Sequence, residues 1–187
     1  MSGAAAGAGG DAPARIPAGA GSGPGGDGGF VIRLATDPAD IEACFAVRKE
    51  VFVVEQRVAE DIEYDGRDDQ ALQVLAIRDD GVPLGTGRLL YGPGAADRTG
   101  GDPAVGSLGR LAVTAAARGR GIGAALVRAI EDAARERGLT VVDLHAQSHA
   151  LGFYERLGYE AYGPEFLDAN IPHRSMRRVI RGGAANA

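Results

Sequence analysis

The chain has 187 residues with a formal net charge of -5, 45% hydrophobic residues, three histidines and a single cysteine. The acidic balance argues against broad contact with a phosphate backbone and suits a cationic amine partner, so no nucleic-acid partner is expected. One cysteine excludes an internal disulfide and provides no metal-ligand pattern, and neither a signal peptide nor a run of ~20 apolar residues is present, so the reading is cytoplasmic, without a membrane partner.

Gly, Ala and Pro fill 22 of the first 29 positions. Such a tract buries too little apolar surface to offset its backbone entropy, so residues 1–29 are expected to be disordered, residues 30–181 to form one α/β domain, and residues 182–187 to be a flexible tail. Phe30 to Leu34 is a short apolar strand. Asp37 and Pro38 then supply a helix cap and first position, and Ile41, Cys44, Phe45, Val47, Val51 and Phe52 follow at helical spacing, which makes Cys44 a core residue. The helix is expected to fray near Gln56. Glu60 to Asp69 is acidic and is read as a solvated loop.

The period then changes. Ala71 to Arg78 and Val82 to Tyr91 read as strands joined by Asp79-Asp80-Gly81; after the Gly92 to Gly101 loop, Val105 to Val113 reads as a third strand. From Gly121, Ile122, Leu126, Val127, Ile130 and Ala134 form a helical stripe, with Arg128, Glu131, Asp132, Arg135 and Glu136 facing solvent and Gly138 as the stop. Leu139 to Leu144 is a strand and Ser148 to Leu157 a shorter helix. Extended runs at Tyr159 to Phe166 and Ser175 to Ile180 close the domain. The order is β-α-β-β-β-α-β-α-β-β, which implies a mixed sheet flanked by helices.

Arg118-Gly119-Arg120-Gly121-Ile122-Gly123-Ala124 is the most distinctive stretch. A glycine turn feeding a helix can aim backbone N–H groups at an anion, assisted by the helix dipole. A P-loop is excluded because no Lys-Ser/Thr pair follows. The pattern G-x-G-x-x-A also satisfies a dinucleotide fingerprint, with Asp143 downstream; the intervening residues 114–118 and the upstream hairpins speak against it. A glycine-rich helix entry without a ligand is a further alternative.

Arg118 to Gly123 also resembles the Arg/Gln-x-x-Gly-x-Gly/Ala signature of the GNAT superfamily of N-acetyltransferases. Leu108-Gly109-Arg110-Leu111-Ala112-Val113 is similar to that family's fourth strand, and Ala150-Leu151-Gly152-Phe153-Tyr154-Glu155-Arg156-Leu157-Gly158-Tyr159 to its A-x-x-F-Y-E-x-x-G-[FY] segment. Arg48 to Gln56, Leu84 to Arg88, Ala146-Gln147 and Ile171-Pro172-His173 resemble the ElaA-like and YjcF-like branch.

The resemblance implies the GNAT acyl-CoA acyltransferase fold and acetyl transfer from acetyl-CoA to an amine, small-molecule or protein-borne, in a ternary complex, without a metal. It implies that N–H groups around Gly119, Gly121, Ile122, Gly123 and Ala124 cradle the pyrophosphate, with charge from Arg118 and Arg120. Backbone groups of Leu111, Ala112 and Val113 would take the pantetheine arm and the thioester oxygen. Tyr154 occupies the acid position. Glu55, His145 and His173 are candidate bases, and Gln147, Asp168 and His173 would line the amine pocket; Ser107 stands where some relatives carry a strand carboxylate. An acyl-homoserine-lactone-synthase-like acyltransferase and a non-catalytic CoA-binding or partner-binding module are the alternatives. Monomer and homodimer are both open.

Overall fold

The computed structural model describes residues 29–181. Apart from Gly29, the expectations for the N-terminal tract and for the tail at 182–187 lie outside the described residues. The strands are β1 (Phe30–Leu34), β2 (Leu72–Arg78), β3 (Pro83–Leu90), β4 (Val105–Val113), β5 (Val141–Gln147), β6 (Glu160–Asp168) and β7 (Ile171–Val179). The helices are α1 (Pro38–Arg48), α2 (Glu60–Glu63), α3 (Ala96–Thr99), α4 (Ile122–Glu136) and α5 (Leu151–Arg156). One seven-stranded sheet has the order β1-β2-β3-β4-β5-β7-β6. Every neighbouring pair is antiparallel except β4 and β5.

Three layers follow from the periodicities. On β2, Leu72, Val74 and Ala76 face α4, whereas Leu75 and Ile77 face α1, the alternation of a strand covered on both sides. Helix α4 buries Ile122, Leu126, Val127, Ile130 and Ala134 as its spacing requires. Gly85 and Gly87 let it close onto the sheet: a Cβ there would stand 2.9 Å from Leu126 Cδ1 and 2.7 Å from Ile130 Cδ1, respectively. On the opposite face, α1 starts where Asp37 Oδ1 accepts from the Asp40 N–H at 2.8 Å and packs Cys44, Val47 and Val51 against Leu75 and Ala112. Among the described residues no helix is long and apolar enough to cross a membrane.

The structure corrects the sequence reading at several points. The helix ends near Gln56 as expected, but its last stretch, Lys49–Glu55, is π-helical, and the wider turns carry Val51, Phe52 and Glu55 to the cavity described below. The acidic stretch is not a solvated loop: Glu63 is buried, and Asp65 and Asp68 are drawn inward by arginines. Glu131 does not face solvent; it is buried, accepting from Tyr159 Oη at 3.0 Å and from Arg178 Nη1 at 2.8 Å. The last two strands form one hairpin longer than expected, joined by Ala169 and Asn170 with φ of 49° and 61°. That two-residue turn demands a conformation alanine rarely adopts, so the sequence there lacks the usual glycine signal. The one parallel pair among the described residues, and Asp143 held by Tyr162 Oη at 2.6 Å and Arg177 Nε at 3.0 Å, speak against the dinucleotide reading.

Candidate active site

The parallel junction is also where the sheet opens. β4 pairs with β5 from Val105–Val141 to Leu108–Leu144 and then leaves it, while β5 continues to Gln147 against β7. A bulge causes the departure. The β3–β4 register slips between Thr86 and Arg88, and Arg110, opposite that slip, has φ of 51°. From Gly109 to Val113 the β5-facing edge of β4 has no strand partner among the described residues, and a cavity of about 800 Å³ fills the space. Leu111 and Val113 line this gap. The Ala112 side chain is buried on the α1 side, so its backbone is the part available there.

At one end of the cavity the chain passes from β4 into α4 through the glycine turn. Gly119 and Gly121 both have φ of 77°, which other residues adopt only with strain. The N–H groups of Ile122, Gly123 and Ala124 are first-turn donors without intrahelical acceptors. A Cβ on Gly123 would lie 3.3 Å from Phe153 Cζ, so the turn packs tightly on α5. Arg118, Gly119, Gly121, Ile122, Gly123 and Ala124 all line the cavity; Arg120 does not. Arg118 is held by both Glu55 oxygens at 2.7 Å, and that hydrogen bonding lowers the Glu55 pKa. A carboxylate so engaged is a poor base.

Tyr154 reaches the cavity from α5 while only 8% exposed. Its ring makes edge contacts with Phe153 and Tyr159 at centroid distances of 4.9 and 5.8 Å, and burial pushes its phenol pKa well up, so it keeps its proton.

His145, Gln147, Asp168 and His173 meet at the far end, where β5 and the β6–β7 hairpin border the cavity. The exposed edge of His145 faces the cavity, while its ring packs edge-on against Phe166 at 4.9 Å. Desolvation, and then the charge of Arg98, lower its pKa; Arg98 Nη1 lies 3.4 Å from His145 Nδ1. His173 Nδ1 donates to the Ile171 carbonyl oxygen at 2.7 Å, which fixes the ring against the β6–β7 hairpin. Gln147 Nε2 donates to Gln56 Oε1 at 2.9 Å, tying β5 to the end of the π segment. Ser107 also lines the cavity.

The sequence reading missed an arginine–carboxylate network at the side of the cavity. Arg48, fully buried, bonds Glu63 through Nε and Asp68 through Nη1 at 2.6 Å, with its guanidinium 4.9 Å from the Phe45 ring centroid. Arg88 grips Asp65 with both Nη atoms, at 2.7 and 2.8 Å, and Arg110 Nε reaches Glu63 Oε2 at 2.8 Å. Burial alone would raise the Asp65 carboxyl; the bonds and charge of Arg88 reverse this and hold it well below the ordinary range. Four elements of the fold, α1, α2, β3 and β4, are locked together at the bulge. Arg88 lies inside Leu84 to Arg88 and Arg48 opens Arg48 to Gln56, so the signal was an arginine within apolar runs. Arg98, in the expected Gly92 to Gly101 loop, had no such signal.

A sheet split at its parallel junction, with the free amides of a glycine turn at one end of the gap and a buried phenol at its side, is the architecture of the acyl-CoA N-acyltransferase fold. The chain belongs to the Acetyltransferase (GNAT) family, which residues 41–159 match. It is 33% identical over 146 residues to the uncharacterized N-acetyltransferase YjcF of Bacillus subtilis, covering 78% of this chain and 96% of that one. Among solved structures, an acyl-CoA N-acyltransferase from Pseudomonas aeruginosa superposes with a TM-score of 0.67 at 33% identity, covering 82% of this chain and 100% of that one. Escherichia coli ElaA shares the fold with a TM-score of 0.68 at 24% identity, over 80% of this chain and 99% of its own. The protein is thus an enzyme of the acyltransferase class, and the silent-module alternative gives way.

Proposed function

We propose that the protein transfers an acetyl group from acetyl-CoA to a primary amine by direct attack in a ternary complex. One observation carries this reading: a single cavity joins the unpaired edge of β4, the glycine turn and Tyr154. Acetyl-CoA supplies a thioester whose carbonyl carbon is the electrophile. The backbone of Gly109 to Val113 would pair with the pantetheine arm as an added strand and polarise the carbonyl, and the amides of Ile122 to Ala124 would take the pyrophosphate. The C–N bond forms as the C–S bond breaks. His145, kept neutral by its surroundings, accepts the amine proton directly or through water, and the Tyr154 phenol donates to the departing sulfur. Direct transfer is favoured over an acyl-enzyme because Cys44 is fully buried in the α1 layer, with burial pushing its thiol up to about 11.

Thiol release from acetyl-CoA across an amine panel tests the reading; acetyl-CoA that binds without any amine-dependent release overturns it. The acid limb of kcat/KM is expected below the ordinary histidine value of 6.5, because a base of lowered pKa stays unprotonated to lower pH. An unchanged limb in His145→Gln would remove His145 from the role.

The Glu55–Arg118 pair occupies a guanidinium that a coenzyme phosphate could use. Glu55→Gln is expected to tighten coenzyme A binding by about two- to fivefold, the scale of an exposed ion pair, measured by isothermal titration. Unchanged or weaker binding would show that the pair does not compete with the coenzyme.

A further inference from the structure

The charges lining the cavity cancel in pairs with two exceptions. Glu55 holds Arg118, Glu63 holds Arg110 and Asp65 holds Arg88, the closest contacts being 2.7 to 2.8 Å. Arg98 and Asp168 remain. Arg98 has one ion-pair contact among the described residues, 3.8 Å from Nε to Asp97 Oδ2, and Asp97 is already bound by both Arg67 Nη atoms at 2.7 and 2.8 Å. Asp168 has no ion pair among the described residues. Arg98 Nη1 lies 3.4 Å from His145 Nδ1, and Asp168 lines the same cavity as both, so the two charges and the imidazole share one wall of it.

We propose that the acceptor is an amino-acid-type zwitterion, its carboxylate clamped by Arg98 and its ammonium drawn to Asp168, which brings the nitrogen to His145. This rests on the transferase reading. A guanidinium 35% exposed at the cavity rim can still meet an incoming carboxylate with two parallel bonds, and one such cation matches one negative charge. A phosphate dianion would leave charge uncompensated. The pairing elsewhere matters equally: the other three arginines cannot turn to the acceptor without abandoning their carboxylates.

The test uses L-leucine, L-glutamate and β-alanine, each as the free acid and as its carboxamide, with acetyl-CoA and the full chain. The carboxamide has the less basic amine and therefore the larger free-base fraction at neutral pH, so a preference for the acid does not come from easier deprotonation of its amine. The expected result is a kcat/KM about tenfold or more higher for the acids, read mainly in KM. Arg98→Ala should remove that advantage while the acetyl-CoA dissociation constant holds, and Arg98→Lys should restore part of it. Carboxamides used as well as acids, or an Arg98→Ala loss equal for both, would overturn the proposal. Should acetyl-CoA bind but no amine be acetylated, the transferase reading fails by itself. Titration of the same acids and carboxamides into the coenzyme A complex then decides the charge reading: selective binding of acids supports it, and equal or absent binding overturns it.

Discussion

Tyr154→Phe is expected to lower kcat by about 10²- to 10⁴-fold, the usual contribution of a positioned proton donor, with acetyl-CoA binding essentially unchanged. The substitution removes one oxygen and keeps the ring with its edge contacts to Phe153 and Tyr159. Because burial raises the phenol pKa, the proton is present throughout the neutral range and no alkaline limb from Tyr154 is expected there. Steady-state thiol release paired with isothermal titration separates the two effects. A loss confined to kcat marks an interaction made as the thiolate departs; a matching loss of coenzyme affinity would make Tyr154 a packing residue. Tyr159→Phe is the contrast. Its hydroxyl donates to buried Glu131, so its removal should lower stability by about 1 kcal/mol and leave kcat alone.

The layers were legible because burial on this fold imposes plain periodicities. The α4 stripe and the alternation on β2 mark faces that meet, and the Asp37-Pro38 helix start is local chemistry. The glycine turn was legible for a related reason. Backbone conformation restricts residue choice, so the glycines at 119 and 121 show where φ is positive. The network of Arg48, Arg88 and Arg110 was not legible, because a charged residue in an apolar run states that a partner exists and not where it is. Its partners Glu63 and Asp65 stand in a stretch whose composition is that of a solvated loop. The same holds for the far end of the cavity. Arg98 and His145 are 47 residues apart, and only the splitting of β4 from β5 brings them to one cavity.

Arg48→Ala is expected to destabilise the fold by about 3–5 kcal/mol, the cost of removing one member of a buried ionic cluster. The guanidinium is fully buried between Phe45 and Tyr64, so its loss strips Glu63 of one partner and Asp68 of another while leaving a cavity beneath α1. An exposed pair sets the other end of the scale. Lys49→Ala, which breaks the contact to exposed Glu60, should cost under ~1 kcal/mol. Urea denaturation at neutral pH measures both, and similar midpoints for the two variants would show the cluster to be energetically idle. Acid gives an independent check. The Asp65 carboxyl is depressed in the folded state, so its contribution is complete above the ordinary carboxylate range and is lost as pH falls toward the folded value. The wild type should therefore lose stability steeply in that window. Asp65→Asn, already without the charge, should lose less there from a lower starting point. Because this cluster fixes the β4 bulge through Arg110, partial unfolding should abolish coenzyme binding before the α4 layer melts, so acetyl-CoA should raise the denaturation midpoint of the wild type more than that of Arg48→Ala.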